Sequence, residues 1–173
     1  MNGDRVSAYL GLGSNLADPP AQLRRALAAL ARLPDSRLQA VSGLYRSPPM
    51  GPPDQPDYVN AVARLDTRLS PLALLDRLQA IERAQGRVRG IHWGPRTLDL
   101  DLLLHGRARM RTERLVLPHP GLHERPFVLV PLAEIAPRLV LPGGAVVAEL
   151  AAACSPDAAV RFAPAPELGM LSV

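Results

Sequence analysis

Lysine is absent from this 173-residue chain, and all 20 of its Lys-or-Arg positions are arginine. A Walker-type phosphate loop, a protein-kinase strand and a Schiff-base enzyme each need a lysine amine, so those chemistries are excluded. Any anion must be held by guanidinium groups, backbone N–H groups or metal. Cysteine is nearly absent as well. The single Cys154 rules out an internal disulfide and fits a cytoplasmic home. Long apolar runs are missing: the best candidate, Leu98–Leu104, carries two aspartates, so no membrane span is expected. The opening MNGDRVSAYLGLGSN lacks a basic segment followed by an apolar core and a small-residue cleavage site, so no signal peptide is expected. Aromatic residues make up only 3% of the chain, and Trp93 is the sole tryptophan.

What is present is a chain with 47% apolar residues, long enough for one domain with a sizeable core. The expected domain spans 1–160, with 161–173 as a poorly ordered tail. Val6–Leu12 reads as a strand ending in Gly13-Ser14-Asn15. Asp18 and Pro19 open a helix running to Leu33. Leu38–Arg46 reads as a second strand. SPPMGPPDQPD (47–57) holds five prolines and one glycine in eleven residues and must be a stiff loop. Tyr58–Leu65 alternates as a third strand. Ser70 and Pro71 open a second helix, whose face is traced by Leu72, Leu75, Leu78 and Ile81 or Glu82 and which ends at Gly86. A glycine-rich loop, 87–96, leads into a fourth strand. Short hairpin strands near 107–117, a helix at Phe127–Ile135 and a weaker one at Ala145–Ala153 follow. The order β-α-β-β-α-β predicts an α+β, ferredoxin-like core. Its sheet would be mainly antiparallel, with helices on one face and the other face free for a ligand under long loops.

The fourth strand, within GPRTLDLDLLLHG (94–106), carries the chemistry. Residues i and i+2 of a strand share a face, with Cα atoms about 6.5–7 Å apart. Asp99 and Asp101 therefore stand together, while Leu98, Leu100 and Leu102 face the helices. Like charges this close repel unless a cation lies between them. Mg²⁺ suits the place, and two carboxylates can share two ions at about 3.5–4 Å. Alone, D-x-D also fits a half-exposed strand with an acidic outer face. From Glu82 to Arg114, however, eight arginines accompany four acids. Arg87, Arg89 and Arg96 lie in or beside the glycine-rich loop, where guanidinium groups can close on phosphate. Arg83, Arg107, Arg109 and Arg111 read more simply as exposed surface charges. Trp93 in the same loop is equally compatible with core packing and with closure over a ligand. A lone histidine such as His119 or His123 is usually structural, and their spacing argues against zinc.

These residues resemble a family. HWGPRTLDLDLL (92–103) is similar to the signature of 6-hydroxymethyl-7,8-dihydropterin pyrophosphokinase, an enzyme of folate biosynthesis. GLGSNL, YRSPPMGPPDQPDYVNAV (45–62), ERAQGRVR (82–89) and RLVLPHPGLHERPFVLVPLAEIAP (114–137) match further blocks in order. The resemblance implies transfer of the β,γ-diphosphate of ATP to the pterin hydroxymethyl group, with AMP released and two Mg²⁺ held by Asp99 and Asp101. It implies catalytic roles for Arg87 and Arg96 on the phosphates, with Arg89 in the same loop. Gln79, Arg114, His119 and Arg125 would line the ATP side. The pterin would lie between Tyr58 and Phe127, be read by Asn60 and the Ser47, Pro48 and Met50 segment, and be covered by Trp93. His92 stands where other members carry arginine. A monomer without nucleic-acid or membrane partners is expected.

Two other readings compete. Nucleotidyltransferases combine Gly-Ser with D-x-D inside one short unit, but here Ser14 and Asp99 lie 99 − 14 = 85 positions apart. RNA-binding modules share the split pattern, but they carry aromatics where this strand carries aspartates.

Overall fold

The structure, a computed structural model, describes residues 4–49, 51, 53–86 and 97–171. The N-terminal strand β1 (Val6–Ser14) leads to α1 (Pro19–Ala31). Asp18 caps α1 by accepting from Ala21 N–H, and it adopts φ 60°, a conformation that aspartate tolerates better than most residues. Strands β2 (Ser36–Val41), β3 (Leu44–Ser47) and β4 (Tyr58–Thr67) follow. Helix α2 (Pro71–Ala84) is capped by the Ser70 hydroxyl, which accepts from Ala73 N–H. Gly86, at φ +85°, ends it in a conformation that costs glycine little. Then come β5 (Asp99–His105), the hairpin β6 (Met110–Arg111) and β7 (Val116–Leu117), α3 (Pro126–Ile135), α4 (Val147–Ala152), β8 (Val160–Ala163) and α5 (Leu168–Leu171).

Among the described residues, six strands make the main sheet in the order β5-β1-β4-β3-β8, with β2 also on β4, and these neighbours pair antiparallel. Helices α1 and α2 cover one face. Leu23, Leu27, Leu30, Leu74 and Leu78 pack there against Leu10, Leu12, Leu65, Leu100 and Leu102. Each of these leucines is almost fully buried, so truncation to alanine would cost about 2–5 kcal/mol. This is the α+β ferredoxin-like core expected from the element order.

Three features differ from the sequence reading. The strand expected over Leu38–Arg46 is two strands, interrupted at Ser42-Gly43. The Ser42 hydroxyl accepts from Val62 N–H, and Gly43 N–H turns out of the sheet toward the Glu134 carboxylate. A side chain at 43 would sit 2.4 Å from the Arg161 Nε and 2.7 Å from the Ala163 carbonyl, so only glycine fits. Second, the stretch from 161 was expected to be loose, yet Val160–Ala163 pairs with β3. Third, the face left for a ligand is partly covered: Val128, Leu132, Leu122, Leu141 and Val147 form a second core with Tyr9, Val62, Leu103 and Leu104.

The second core depends on a bulge. Leu10 pairs with Leu102 and Tyr9 with Leu104, leaving Leu103 as the extra residue. Leu103 and Leu104 therefore both reach the second core, while Leu102 stays in the first.

Candidate active site

Sheet register builds the site's floor. Asp99, Gly13, Asn60 and Tyr45 are successive cross-strand partners on β5, β1, β4 and β3. Asp101, Gly11 and Val62 form the neighbouring row. Directly paired residues share a face, so both aspartates stand on the second face, half-buried, beside two glycines. The floor between the carboxylates and Asn60 is thus bare backbone. A Cβ at Gly13 would lie 3.3 Å from Asn60 Oδ1 and 3.7 Å from Tyr58 Cδ1. Gly13 keeps that space open, and the amide oxygen of Asn60 is turned toward it.

On the Asn60 side, polar side chains are already fixed. Asn60 Nδ2 donates to Ser47 Oγ at 2.7 Å, and both residues are buried. Tyr58 is the strand partner of Ser47 and is half-buried. Pro48 follows at the mouth of the proline-rich loop. Asn15 ties that loop down: its Nδ2 donates to Gln55 Oε1 at 3.2 Å and to the Pro56 carbonyl at 3.0 Å. Asn15 and Gln55 are both buried. Prolines stiffen the loop, and these hydrogen bonds fix where it sits.

On the aspartate side, β5 is the sheet's edge strand. The amide of Leu100, between the two aspartates, donates to Glu82 Oε2 at 2.8 Å. Glu82 belongs to α2 and is 2% exposed. A buried carboxylate is tolerated only with good partners; here it takes an edge N–H that would otherwise lack one. It thereby sets the strand that presents both aspartates.

His119, Arg125 and Phe127 close the third side. The His119 amide donates to the Leu103 carbonyl at 2.9 Å, and its Nδ1 accepts from Gly121 N–H at 3.0 Å. Burial pulls its pKa down to about 4, the Arg125 guanidinium adds to the drop, and the Asp99 carboxylate opposes it. The ring is therefore neutral near pH 7, with its hydrogen assigned to Nε2 by the Nδ1 contact. Such a ring offers one N–H to an anionic oxygen. Arg125 packs on Gly121, where a Cβ would come within 2.4 Å of its Nε, and its guanidinium lies 5.9 Å from the centre of the Phe127 ring. Phe127 is half-buried in the first turn of α3. Gln79 and Arg114 meet at 3.2 Å, with Arg114 also on Asp76 at 2.5 Å.

The structure thus brings together Asp99 and Asp101; Ser47, Tyr58 and Asn60; His119, Arg125 and Phe127; and Gln79 with Arg114. Met50, Arg87, Arg89, Trp93 and Arg96 lie outside the described residues. Sequence reasoning did not single out Glu82, Asn15 or Gln55 for the site. Glu82 left one signal, a carboxylate in line with the apolar face of α2. Among the described residues, no group of three or more His, Cys, Asp or Glu side chains is placed to hold a metal. The two aspartates offer hard oxygen ligands to a cation that takes its remaining ligands from water and phosphate, a set that fits Mg²⁺. An open sheet face with stacked aromatics, as an RNA-binding module needs, is not what β5 and α3 present.

Comparison with known proteins agrees with this arrangement. The family model described as 7,8-dihydro-6-hydroxymethylpterin-pyrophosphokinase (HPPK) matches residues 9–137. A Pseudomonas aeruginosa protein named 2-amino-4-hydroxy-6-hydroxymethyldihydropteridine pyrophosphokinase is 59% identical over 146 residues, covering 84% of this chain and 90% of its own. A Haemophilus influenzae protein of the same name is 55% identical over 145 residues, covering 84% and 91%. Among solved structures, an HPPK-DHPS in complex with substrates superposes with a TM-score of 0.69 at 13% identity, over 86% of this chain and 44% of that one. Wild-type Plasmodium falciparum HPPK-DHPS with pteroate gives 0.67 at 13% identity, over 88% and 43%. The chain thus spans less than half of those two larger proteins, and at such low identity the likeness is one of fold. With three-quarters of its length inside the family model and relatives above half identity, the chain belongs to the 7,8-dihydro-6-hydroxymethylpterin-pyrophosphokinase family.

Proposed function

We propose that the protein transfers the pyrophosphoryl group of ATP to the hydroxymethyl oxygen of 6-hydroxymethyl-7,8-dihydropterin, yielding the pterin diphosphate and AMP in tetrahydrofolate biosynthesis. The observation that carries this reading is the row Asp99–Gly13–Asn60, which sets a carboxylate pair and a buried amide oxygen on one bare floor. A polyphosphate end and a heterocycle end are thereby adjacent.

At the heterocycle end, Asn60 Oδ1 accepts from a ring N–H or amino group, because Nδ2 is already committed to Ser47. Tyr58 and Phe127 supply the aromatic faces for stacking, and Ser47 and Pro48 close the rim. Arg125 lies near the edge of that stack and close to His119. At the phosphate end, Asp99 and Asp101 would hold two Mg²⁺, which when bound offset the charge of the β- and γ-phosphates. His119 Nε2–H and the Arg125 guanidinium face the same region and donate to phosphate oxygens. Gln79 and Arg114 flank the nucleotide. Arg87 and Arg96 are assigned to the transferring group, Arg89 to ATP, and Met50 and Trp93 to the pterin, on the motif match.

In the reaction the hydroxymethyl oxygen gives up its proton to solvent as it bonds to Pβ, the bond from Pβ to the bridging oxygen breaks, and AMP leaves with that oxygen and the bond's electron pair. Little covalent work falls to the protein. Positioning and donors aimed at the phosphates carry the rate. The test is incubation with ATP, MgCl₂ and 6-hydroxymethyl-7,8-dihydropterin, with nucleotide products resolved by chromatography. AMP is expected in step with pterin diphosphate; ADP as the product would refute the reading.

A further inference from the structure

The pterin cleft has two walls on different parts of the fold. One wall is the sheet face at β3 and β4, with Ser47, Tyr58 and Asn60. The other is the first turn of α3, with Phe127. Apolar contacts join the two bodies: Val128 and Leu132 rest on Val62, Leu103 and Leu104. Such contacts are non-directional, and they leave α3 free to slide or roll by small amounts. A stacking slot for a flat ring tolerates little of either.

Directional contact comes from Glu134, near the far end of α3. Its carboxylate oxygens both accept from Gly43 N–H at 3.1 Å, and Oε1 also accepts from Tyr45 O–H at 2.6 Å. Arg161 of β8 approaches the same Oε1 at 3.4 Å. Tyr45 is 5% exposed, shares a strand face with Ser47 two residues on, and is the cross-strand partner of Asn60. The carboxylate of the α3 wall is therefore bonded to the strand that carries the opposite wall. Burial and the adjacent carboxylate raise the pKa of Tyr45, so its hydroxyl remains a donor across the working range. The break at Ser42-Gly43, otherwise an interruption in the sheet, is what aims Gly43 N–H at Glu134.

We propose that Glu134 is a positioning residue for the pterin: through Tyr45 and Gly43 it fixes where α3 lies on the sheet, and hence the spacing of Phe127 from the Ser47–Asn60 wall. The proposal rests on the reading of that cleft as the pterin site. It predicts a larger effect on pterin than on ATP: Asp99 and Asp101 are held on edge strand β5 by Glu82 and β1, away from Glu134, and of the ATP-side groups only Arg125, the N-cap of α3, rides on the same helix as Phe127.

The test is calorimetric binding of 6-hydroxymethyl-7,8-dihydropterin and of Mg–ATP to the full chain, alongside thermal melts. Glu134→Ala should weaken pterin binding about tenfold and Mg–ATP binding by no more than about threefold, the share that Arg125 carries, a split that a loss of general stability would not produce. Glu134→Gln keeps an acceptor and should restore most of the loss. Tyr45→Phe, which removes one hydroxyl from an otherwise unchanged ring, should give a smaller loss of the same selectivity. The Tyr45→Phe/Glu134→Ala pair should be no worse than Glu134→Ala alone, since both act through one contact. Equal losses for the two ligands, or wild-type pterin affinity in Tyr45→Phe, would overturn the proposal even if Glu134→Ala fails to fold. If the unaltered protein binds no pterin at all, the functional reading itself is wrong.

Discussion

Removing the Glu82 carboxylate is the sharpest probe of how the aspartate pair is held. Glu82 is 2% exposed and accepts from the Leu100 amide at 2.8 Å. Leu100 N–H lies on the side of β5 away from β1, so Glu82→Ala leaves a donor at the sheet edge without this acceptor. A hydrogen bond to a charged group contributes about 1.5–3 kcal/mol, and a stranded buried donor costs a similar amount. For a chain of this length, each kcal/mol moves the midpoint by about 2–4 °C. The expected fall in Tm is therefore roughly 3–12 °C, read by circular dichroism. The catalytic effect should exceed the thermal one. Asp99 and Asp101 flank Leu100, so a strand free to shift there presents its carboxylates in the wrong places. Turnover should drop, and half-maximal activity should require more Mg²⁺. Glu82→Gln retains an oxygen acceptor and should show a smaller loss on both counts. If Glu82→Ala melts within about 2 °C of the parent and keeps its Mg²⁺ dependence, β1 alone positions the aspartates and this reasoning fails.

Asp99→Ala and Asp101→Ala should both fold, since each side chain is half-exposed on the open face, yet each should lose most pyrophosphoryl transfer in a coupled AMP assay; near-normal turnover at limiting Mg²⁺ would contradict the metal assignment. Tyr58→Ala and Phe127→Ala each remove one face of the proposed stack, worth about 0.5–1.5 kcal/mol beyond area burial. Pterin binding should weaken far more than ATP binding in calorimetry, and equal losses would mark these rings as structural. His119 makes stability depend on pH. Its folded pKa lies near 4, below the ordinary value of 6.5, so between those values the unfolded chain binds a proton that the folded chain does not. Stability from this residue is complete above pH 6.5 and is lost as pH falls toward 4. Melts of the ligand-free protein should show that slope, His119→Asn should flatten it, and an NMR titration giving a pKa above 6 would exclude it.

Much of the fold could be read because its signals were local. Asp18-Pro19 and Ser70-Pro71 announce helix starts with their own side chains, and both caps form. Alternation in Asp99–Leu102 reports the two faces of one strand, so the aspartate pair was visible before any neighbour was known. What stayed hidden depends on partners far along the chain. Nothing near Ser42-Gly43 tells of Glu134, which lies 91 residues later and draws the backbone out of the sheet. Nothing in VRFA shows that it would pair with β3. Glu82 looked like a flaw in an apolar stripe because its acceptor role needs a strand edge supplied 18 residues downstream. Asn15 and Gln55 meet across 40 residues.

The unpaired Leu103 in β5 works as a phase shifter. Before it, odd-numbered positions take the face that carries the aspartates; after it, Leu104 takes that face, within the second core, and His105 turns to the helical side, where its Nε2 meets the Leu69 carbonyl at 2.8 Å. Deleting that one leucine would make Leu102 and Leu104 adjacent opposite Leu10 and Tyr9, so the strand would alternate strictly with the aspartates, Leu104 and His105 all on their present faces. What would be lost is the Leu103 side chain itself, 1% exposed in the second core, and the gap left beneath α3 would cost about 2–5 kcal/mol. The bulge thus changes the odd-even phase of the sequence without changing the strand's faces, and alternation counted straight past Leu103 would assign Leu104 and His105 to the wrong sides.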